Sequence, residues 1–377
     1  MKAIINANVV LENGILWDGV ILIDGNKITE VKSMREAEIP ENAEIIDAAG
    51  SYVGPGFIDI HVHGSGGFSD SFETEKAAEY FLKHGTTSFL ATPSGREDLL
   101  EAIRSVKKVK DKIPQLKGMY VEGPYLNSKY GANAKGKPWA ETVDEDFYKP
   151  LLDETGDLVK VWMVAPEREG IMGFVEYARK INPDVLFAVG HSEATPEQIK
   201  ALGKYRPKVL THVFDATGRQ PVPGGTRGYG PDEYCFLEPD MYAELICDSC
   251  AVHVNPDLQR LVLKNKGVNR VILITDCTIY KNPPPEHLSY VTDLNFNQNG
   301  GIAGSKLSMD VACRNIMTHT NSSIAQSFIM ASTNPARLLG LDEEIGTVEA
   351  GKIADLVFVD DKFNVQKVIL GGKVCEF

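Results

Sequence analysis

The sequence predicts an α/β protein: a (β/α)8, TIM-like barrel with a small β-sandwich domain formed by both chain ends. Three observations carry this prediction. From residue 54 to residue 340, short apolar runs alternate with longer amphipathic stretches, the pattern of parallel strands covered by outer helices. The two ends instead share a texture of short strands and tight turns. At 377 residues the chain exceeds one ordinary domain but is short for three.

The elements follow in order. Ala3 to Leu11 is apolar-rich and ends at Asn13-Gly14, Val20 to Ile23 precedes Asp24-Gly25-Asn26, and Ala43 to Ile46 leads to Ala49-Gly50. These are hairpin signals. The central series includes Thr87 to Ala91 followed by an amphipathic Glu97 to Val109, then Lys117 to Val121. Val159 to Val164 is followed by Gly170 to Lys180, and Leu186 to Val189 by Pro196 to Leu202. Val209 to Leu210, Ala243 to Ile246 and Val271 to Ile274 complete it. An eight-fold barrel fits this series, and a doubly wound sheet is the alternative. Ala354 to Val359 and Val365 to Leu370 return to the texture of the start. The expected division is therefore 1–53 plus 341–377 for the end domain and 54–340 for the barrel.

Composition narrows the functional classes. A formal net charge of -13 disfavours a nucleic-acid partner, because phosphate backbones are held by basic patches. No apolar run approaches the ~18 residues of a membrane span, and the N-terminus lacks the apolar core of a signal peptide. Six cysteines without framework spacing suit a reducing cytoplasm. Cys247 and Cys250 form a C-x-x-C, read here as two unpaired thiols near a strand end.

The informative residues follow the apolar runs, where a parallel barrel collects its catalytic groups. His61 and His63 lie two apart in Gly56-Phe57-Ile58-Asp59-Ile60-His61-Val62-His63-Gly64. Alternation along a strand sends both imidazoles to one face, where they suit a single cation. Glu122 follows Gly118-Met119-Tyr120-Val121, His191 follows Ala188-Val189-Gly190, His212 follows Val209-Leu210-Thr211, and Asp276 follows Leu273-Ile274-Thr275. Of eight histidines in the chain, four occupy such ends. Packing explains this poorly, since charged or imidazole groups are rarely buried unpaired.

Carboxylate and imidazole without thiolate suit Zn, Fe, Mn or Co. Such an ion lowers the pKa of its water towards ~7 and polarises a carbonyl, and Asp276 is placed to move the proton. A helix N-cap is the alternative use of Asp276.

These segments resemble the amidohydrolase superfamily, and within it the N-acetylglucosamine-6-phosphate deacetylase family, over nearly the whole chain. The likeness includes Pro55 to Gly64, Val121-Glu122-Gly123-Pro124-Tyr125-Leu126-Asn127, Gly190-His191-Ser192-Glu193-Ala194-Thr195, and Thr211-His212-Val213-Phe214. It also includes Ala303-Gly304-Ser305 and Thr333-Asn334-Pro335-Ala336. The closing Gly346 to Val357 segment is shared widely in the superfamily and marks the end of the barrel. The resemblance implies a metal-dependent enzyme that removes the N-acetyl group of an amino sugar. It gives Glu122, His191 and His212 to a main metal, and His61 and His63 to a second, with Glu122 bridging: one or two divalent ions per subunit. Asp276 becomes general base, then general acid. A homodimer is also implied.

Substrate contacts carry over to Asn133, Asp215, Ala216, Thr217, Arg227 and His253, with departures. Asp215-Ala216-Thr217 stands where the family has Asn-Ala-Met, and Asn133 where it has a histidine. A carboxylate ~4 Å from a phosphate is repelled by about 1–4 kcal/mol, depending on screening. Asp215 therefore turns away, pairs with Arg219 or Arg227, or faces a substrate without phosphate there. The alternative to the amino-sugar reading is another amidohydrolase, acting on an N-acyl amino acid, a cyclic amide or a non-phosphorylated N-acetyl sugar.

Overall fold

The computed structural model describes residues 1–94, 98–132, 139, 142–220, 224 and 228–377. The sequence expectations at Asn133 and Arg227 lie outside the described residues.

Eight parallel strands stand in sequential order: Phe57–Val62, Thr86–Ala91, Leu116–Glu122, Val159–Val164, Leu186–Val189, Val209–Leu210, Tyr242–Ile246 and Val271–Ile274. Backbone bonds from Asp276 N to His61 O (3.0 Å) and from His63 N to Cys277 O (2.8 Å) bring the last strand against the first. The sheet is thereby nearly closed. Sequential parallel order decides between the two arrangements left open above, because a doubly wound sheet reverses strand order at a switch point.

The strands are buried on both faces, as expected inside a ring of helices. The helices that cover them show why the sequence was legible. Thr74–Lys83 buries Thr74, Ala77, Ala78 and Phe81; Leu99–Val109 buries Leu99, Ala102, Ile103 and Val106; Ile171–Ile181 buries Ile171, Phe174, Val175 and Ala178. All three follow the i, i+3, i+4, i+7 spacing of one helical face. The fifth helix, Pro196–Ala201, is started by a capping box in which Thr195 Oγ1 accepts from Gln198 N and Gln198 Oε1 accepts from Thr195 N. That cap ends the loop carrying His191.

Both chain ends build one mixed eight-stranded sheet. Its centre is Lys2–Leu11, which pairs with Gly14–Asp24 antiparallel and with Glu44–Asp47 and Tyr52–Pro55 in parallel. Leu356–Val359 pairs antiparallel with Tyr52–Pro55, joining the two ends. The far edge returns to the C-terminal part through Ile28 N to Lys352 O (2.9 Å) and Ala354 N to Asn26 O (2.9 Å). The sheet thus curls around its own core, in which Ile4, Val9, Ile21, Val53, Leu356 and Phe358 pack together. It is continuous through hydrogen bonds, and both chain ends build it, as the sequence predicts.

Candidate metal centre

The six polar residues at the barrel mouth converge. His61 and His63 leave the first strand on one face, as strand alternation requires, with ring centroids 5.4 Å apart. Glu122 ends the third strand between the two groups of histidines. Its Oε2 is 3.5 Å from His63 Nε2, and its Oε1 is 2.8 Å from His191 Nε2 and 3.9 Å from His212 Nε2. Asp276 Oδ1 is 3.2 Å from His63 Nε2 and 3.8 Å from His61 Nε2.

Two clusters result. The donor atoms of His61, His63 and Glu122 lie within 4.8 Å of one another, and so do those of Glu122, His191 and His212. Such spacings suit donors at about 2.0–2.2 Å from a shared divalent ion. Three rings are oriented by backbone carbonyls: His63 Nδ1 by Thr92 O (2.7 Å), His191 Nδ1 by Tyr130 O (3.1 Å) and His212 Nδ1 by Asp215 O (3.0 Å). A carbonyl only accepts, so each Nδ1 carries the proton and each Nε2 is left to face the centre. His61 Nε2 is buried without a hydrogen-bond partner among the described residues. This donor set fits one or two divalent cations.

The electrostatics agree. Burial opposes charge on His63 and His212, yet neighbouring carboxylates outweigh it. Asp276, Glu122 and Asp70 raise His63 to about 9, while Glu122, Asp215 and Asp276 raise His212 to about 10. Burial opposes charge on Glu122 too, but His191, His212 and His63 hold its carboxyl well below the usual range. Asp276 is lowered by His63, His61 and His212 against its burial. The carboxylates draw protons onto the imidazoles, and a cation competes for the same negative potential.

Backbone conformation concentrates here as well. His191, His212, Phe214, Ala216 and Asp276 adopt positive φ (44, 30, 66, 50 and 46°). Each such non-glycine residue costs on the order of 1–3 kcal/mol and persists because its surroundings hold it. Gly131 is required for a different reason: a Cβ there would sit 2.2 Å from His191 Cε1.

A cavity of about 410 Å³ opens over the centre, lined by His63, Glu122, His191, His212 and Asp276 together with Asp215 and Ala216. Among the described residues Ser94, Gly131, Thr278, Ile279, Tyr280, Ala303 and Gly304 also line it. The His253 side chain is buried with Nδ1 3.3 Å from Asp248 Oδ2, and its donor atom, with those of Asp215 and Asp276, forms a third cluster within 4.8 Å. Thr217 does not line the cavity; its Oγ1 donates to Asp232 Oδ2 at 2.5 Å. Arg219 pairs with Glu233, so it is not the counter-ion of Asp215.

Sequence reasoning missed the polar layer beneath the mouth. Asp59 Oδ2 accepts from Thr275 Oγ1 (2.6 Å), Tyr120 OH meets Thr211 Oγ1 (2.6 Å), and Glu244 faces His61. Burial raises Asp59 to about 7, against the opposing effect of Thr275 and His61. Asp59 belongs to the histidine motif, two residues before His61 on the same face, and that spacing was the available signal. Trp139 packs edge-on to His191 at 6.2 Å.

This fold and site define a metal-dependent hydrolase of the amidohydrolase class. Residues 52–375 match the model of the amidohydrolase family. The chain is similar to the N-acetylglucosamine-6-phosphate deacetylase of Haemophilus influenzae, 30% identical with 98% of each chain covered. It is also similar to the N-acetylgalactosamine-6-phosphate deacetylase of Escherichia coli O157:H7, 27% identical with 97% of each covered. Among solved structures, N-acetyl-D-glucosamine-6-phosphate deacetylase from Mycobacterium smegmatis superposes with a TM-score of 0.81 at 27% identity, covering 99% of this chain and 100% of that one. The chain belongs to the amidohydrolase family, and within it to the N-acetylglucosamine-6-phosphate deacetylase family.

Proposed function

We propose that the protein removes the N-acetyl group of an amino sugar, with N-acetylglucosamine 6-phosphate or a close relative as substrate. One observation carries the reading: Glu122 lies between two histidine clusters, and Asp276 faces the same centre from the last barrel strand. The relatives' substrates support the sugar class. In this reading Glu122, His191 and His212 would hold the main ion, and His61 and His63 would hold a second together with Glu122.

When bound in this centre, a divalent cation would lower the pKa of water towards ~7 and polarise the amide carbonyl. Asp276 does the proton work. Its neighbouring histidines favour the ionised carboxylate, so Oδ1 is ready to accept a proton from water. As the C–O bond forms and the C–N bond breaks, Asp276 passes that proton to the departing nitrogen. Acetate and a free amine leave. The cavity, within the ~300–1,000 Å³ of small-molecule sites, has room for a hexosamine.

A specific observation favours a second reading. Among the described residues the wall carries Glu122, Asp215 and Asp276 but no lysine or arginine. A substrate without phosphate at that end, such as a non-phosphorylated N-acetyl sugar, an N-acyl amino acid or a cyclic amide, avoids repulsion by Asp215. Acetate release from N-acetylglucosamine and N-acetylgalactosamine, each with and without the 6-phosphate, tests the choice. Faster release from the phosphorylated sugars supports the first reading. Turnover of an N-acyl amino acid with no release from any hexosamine overturns it.

Two further proposals accompany this one. No described helix is long and apolar enough to cross a membrane, and all six cysteines are free, which supports a cytoplasmic location. Family membership supports a homodimer.

A further inference from the structure

Glu244 lies on the seventh barrel strand, Tyr242–Ile246, with its side chain 0% exposed. Its Oε2 is 3.2 Å from His61 Nδ1 and accepts from the backbone N–H of His212 at 3.4 Å. One carboxylate oxygen therefore touches a ligand of each cluster. The contrast with the other rings is chemical: His63, His191 and His212 are oriented by neutral carbonyls, whereas His61 is backed by a carboxyl group.

That group is poorly compensated by the protein itself. No lysine or arginine pairs with Glu244 among the described residues; the Tyr120 hydroxyl is the further polar group beside it, and Oε1 makes no well-aligned hydrogen bond there. A buried carboxylate without a counter-charge is costly. The ring facing it is that of His61, and the opposite nitrogen, Nε2, is also without a partner and belongs to the His61–His63–Glu122 cluster. A cation at that cluster would give His61 Nε2 its partner and place positive charge across the ring from the Glu244 carboxyl group.

We infer that Glu244 is a positioning residue that, through His61, tightens cation binding at the His61–His63–Glu122 cluster, an inference that rests on the two-ion reading given above. The carboxylate fixes the proton of His61 on Nδ1, turns Nε2 to the cluster and adds negative charge behind it. The inference concerns cation binding alone and does not depend on the identity of the substrate.

The test is a metal titration of the full chain. Chelator-stripped protein is titrated with Co²⁺, reading absorption and bound metal after dialysis. The wild-type chain is expected to take two ions. Glu244→Ala should weaken the second by about 10–100-fold and the first, whose His212 it meets only through a backbone bond of 3.4 Å, by clearly less, and Glu244→Gln, nearly isosteric, should weaken the second less. A general loss of structure would lower both affinities together. Equal weakening of both ions, unchanged binding of the second in both variants, or a wild-type chain that takes only one ion would each overturn the inference.

Discussion

The two halves of the metal centre are built by different means. His191 and His212 stand just beyond strand ends, in left-handed backbone, with their rings turned by the carbonyls of Tyr130 and Asp215. His61 belongs to the strand itself, in ordinary extended conformation, and is oriented by the buried Glu244. The first half carries backbone strain and is held in place by the packing around it. The second is held by strand geometry and a charged partner. A site made the first way depends on loop packing, and one made the second way depends on charge balance.

Glu122 is common to both halves, so its removal should erase the difference. Glu122→Gln is expected to lower metal content at both clusters and to cut kcat/KM by about 10³-fold or more, measured by metal analysis and acetate release. Retention of one tightly held ion would show that the halves do not share this residue. Asp276→Asn should separate chemistry from binding: kcat falls by ~10² or more while metal content stays at the wild-type level. Near-normal kcat would remove Asp276 from its proton role.

The smallest effect is a pH dependence. Without metal, His63 and His212 titrate near 9 and 10 in the folded chain, against ~6.5 when unfolded. The folded state then binds more protons between these values. The stability they contribute is complete below ~6.5 and is lost as pH rises through 9 to 10. A divalent cation displaces these protons, so its affinity rises with pH. The Tm of the metal-free chain should fall from pH 7 to 10, while the Tm increment given by saturating metal grows. An increment that stays flat would mean that these rings are already neutral.

Much of this is legible in the sequence alone. The helical spacing of Leu99, Ala102, Ile103 and Val106 reports a one-sided helix because only one face is buried. His61, His63, Glu122, His191, His212 and Asp276 stood out because strand ends in a parallel barrel point to one mouth. Glu244 did not stand out. It lies in the middle of a short apolar strand, and its partner is 183 residues away. The carbonyls of Thr92, Tyr130 and Asp215 carry no side-chain signature at all.

Sequence by itself thus determined the barrel, the texture of the end domain and the residues able to hold a cation. Those follow from periodicity and from side-chain chemistry, which are local properties. Tertiary structure decided which histidines share Glu122, which atom orients each ring, and that Arg219 belongs to Glu233 rather than Asp215. These depend on distances between strands far apart in the chain, set only when the barrel closes and brings Asp276 against His61.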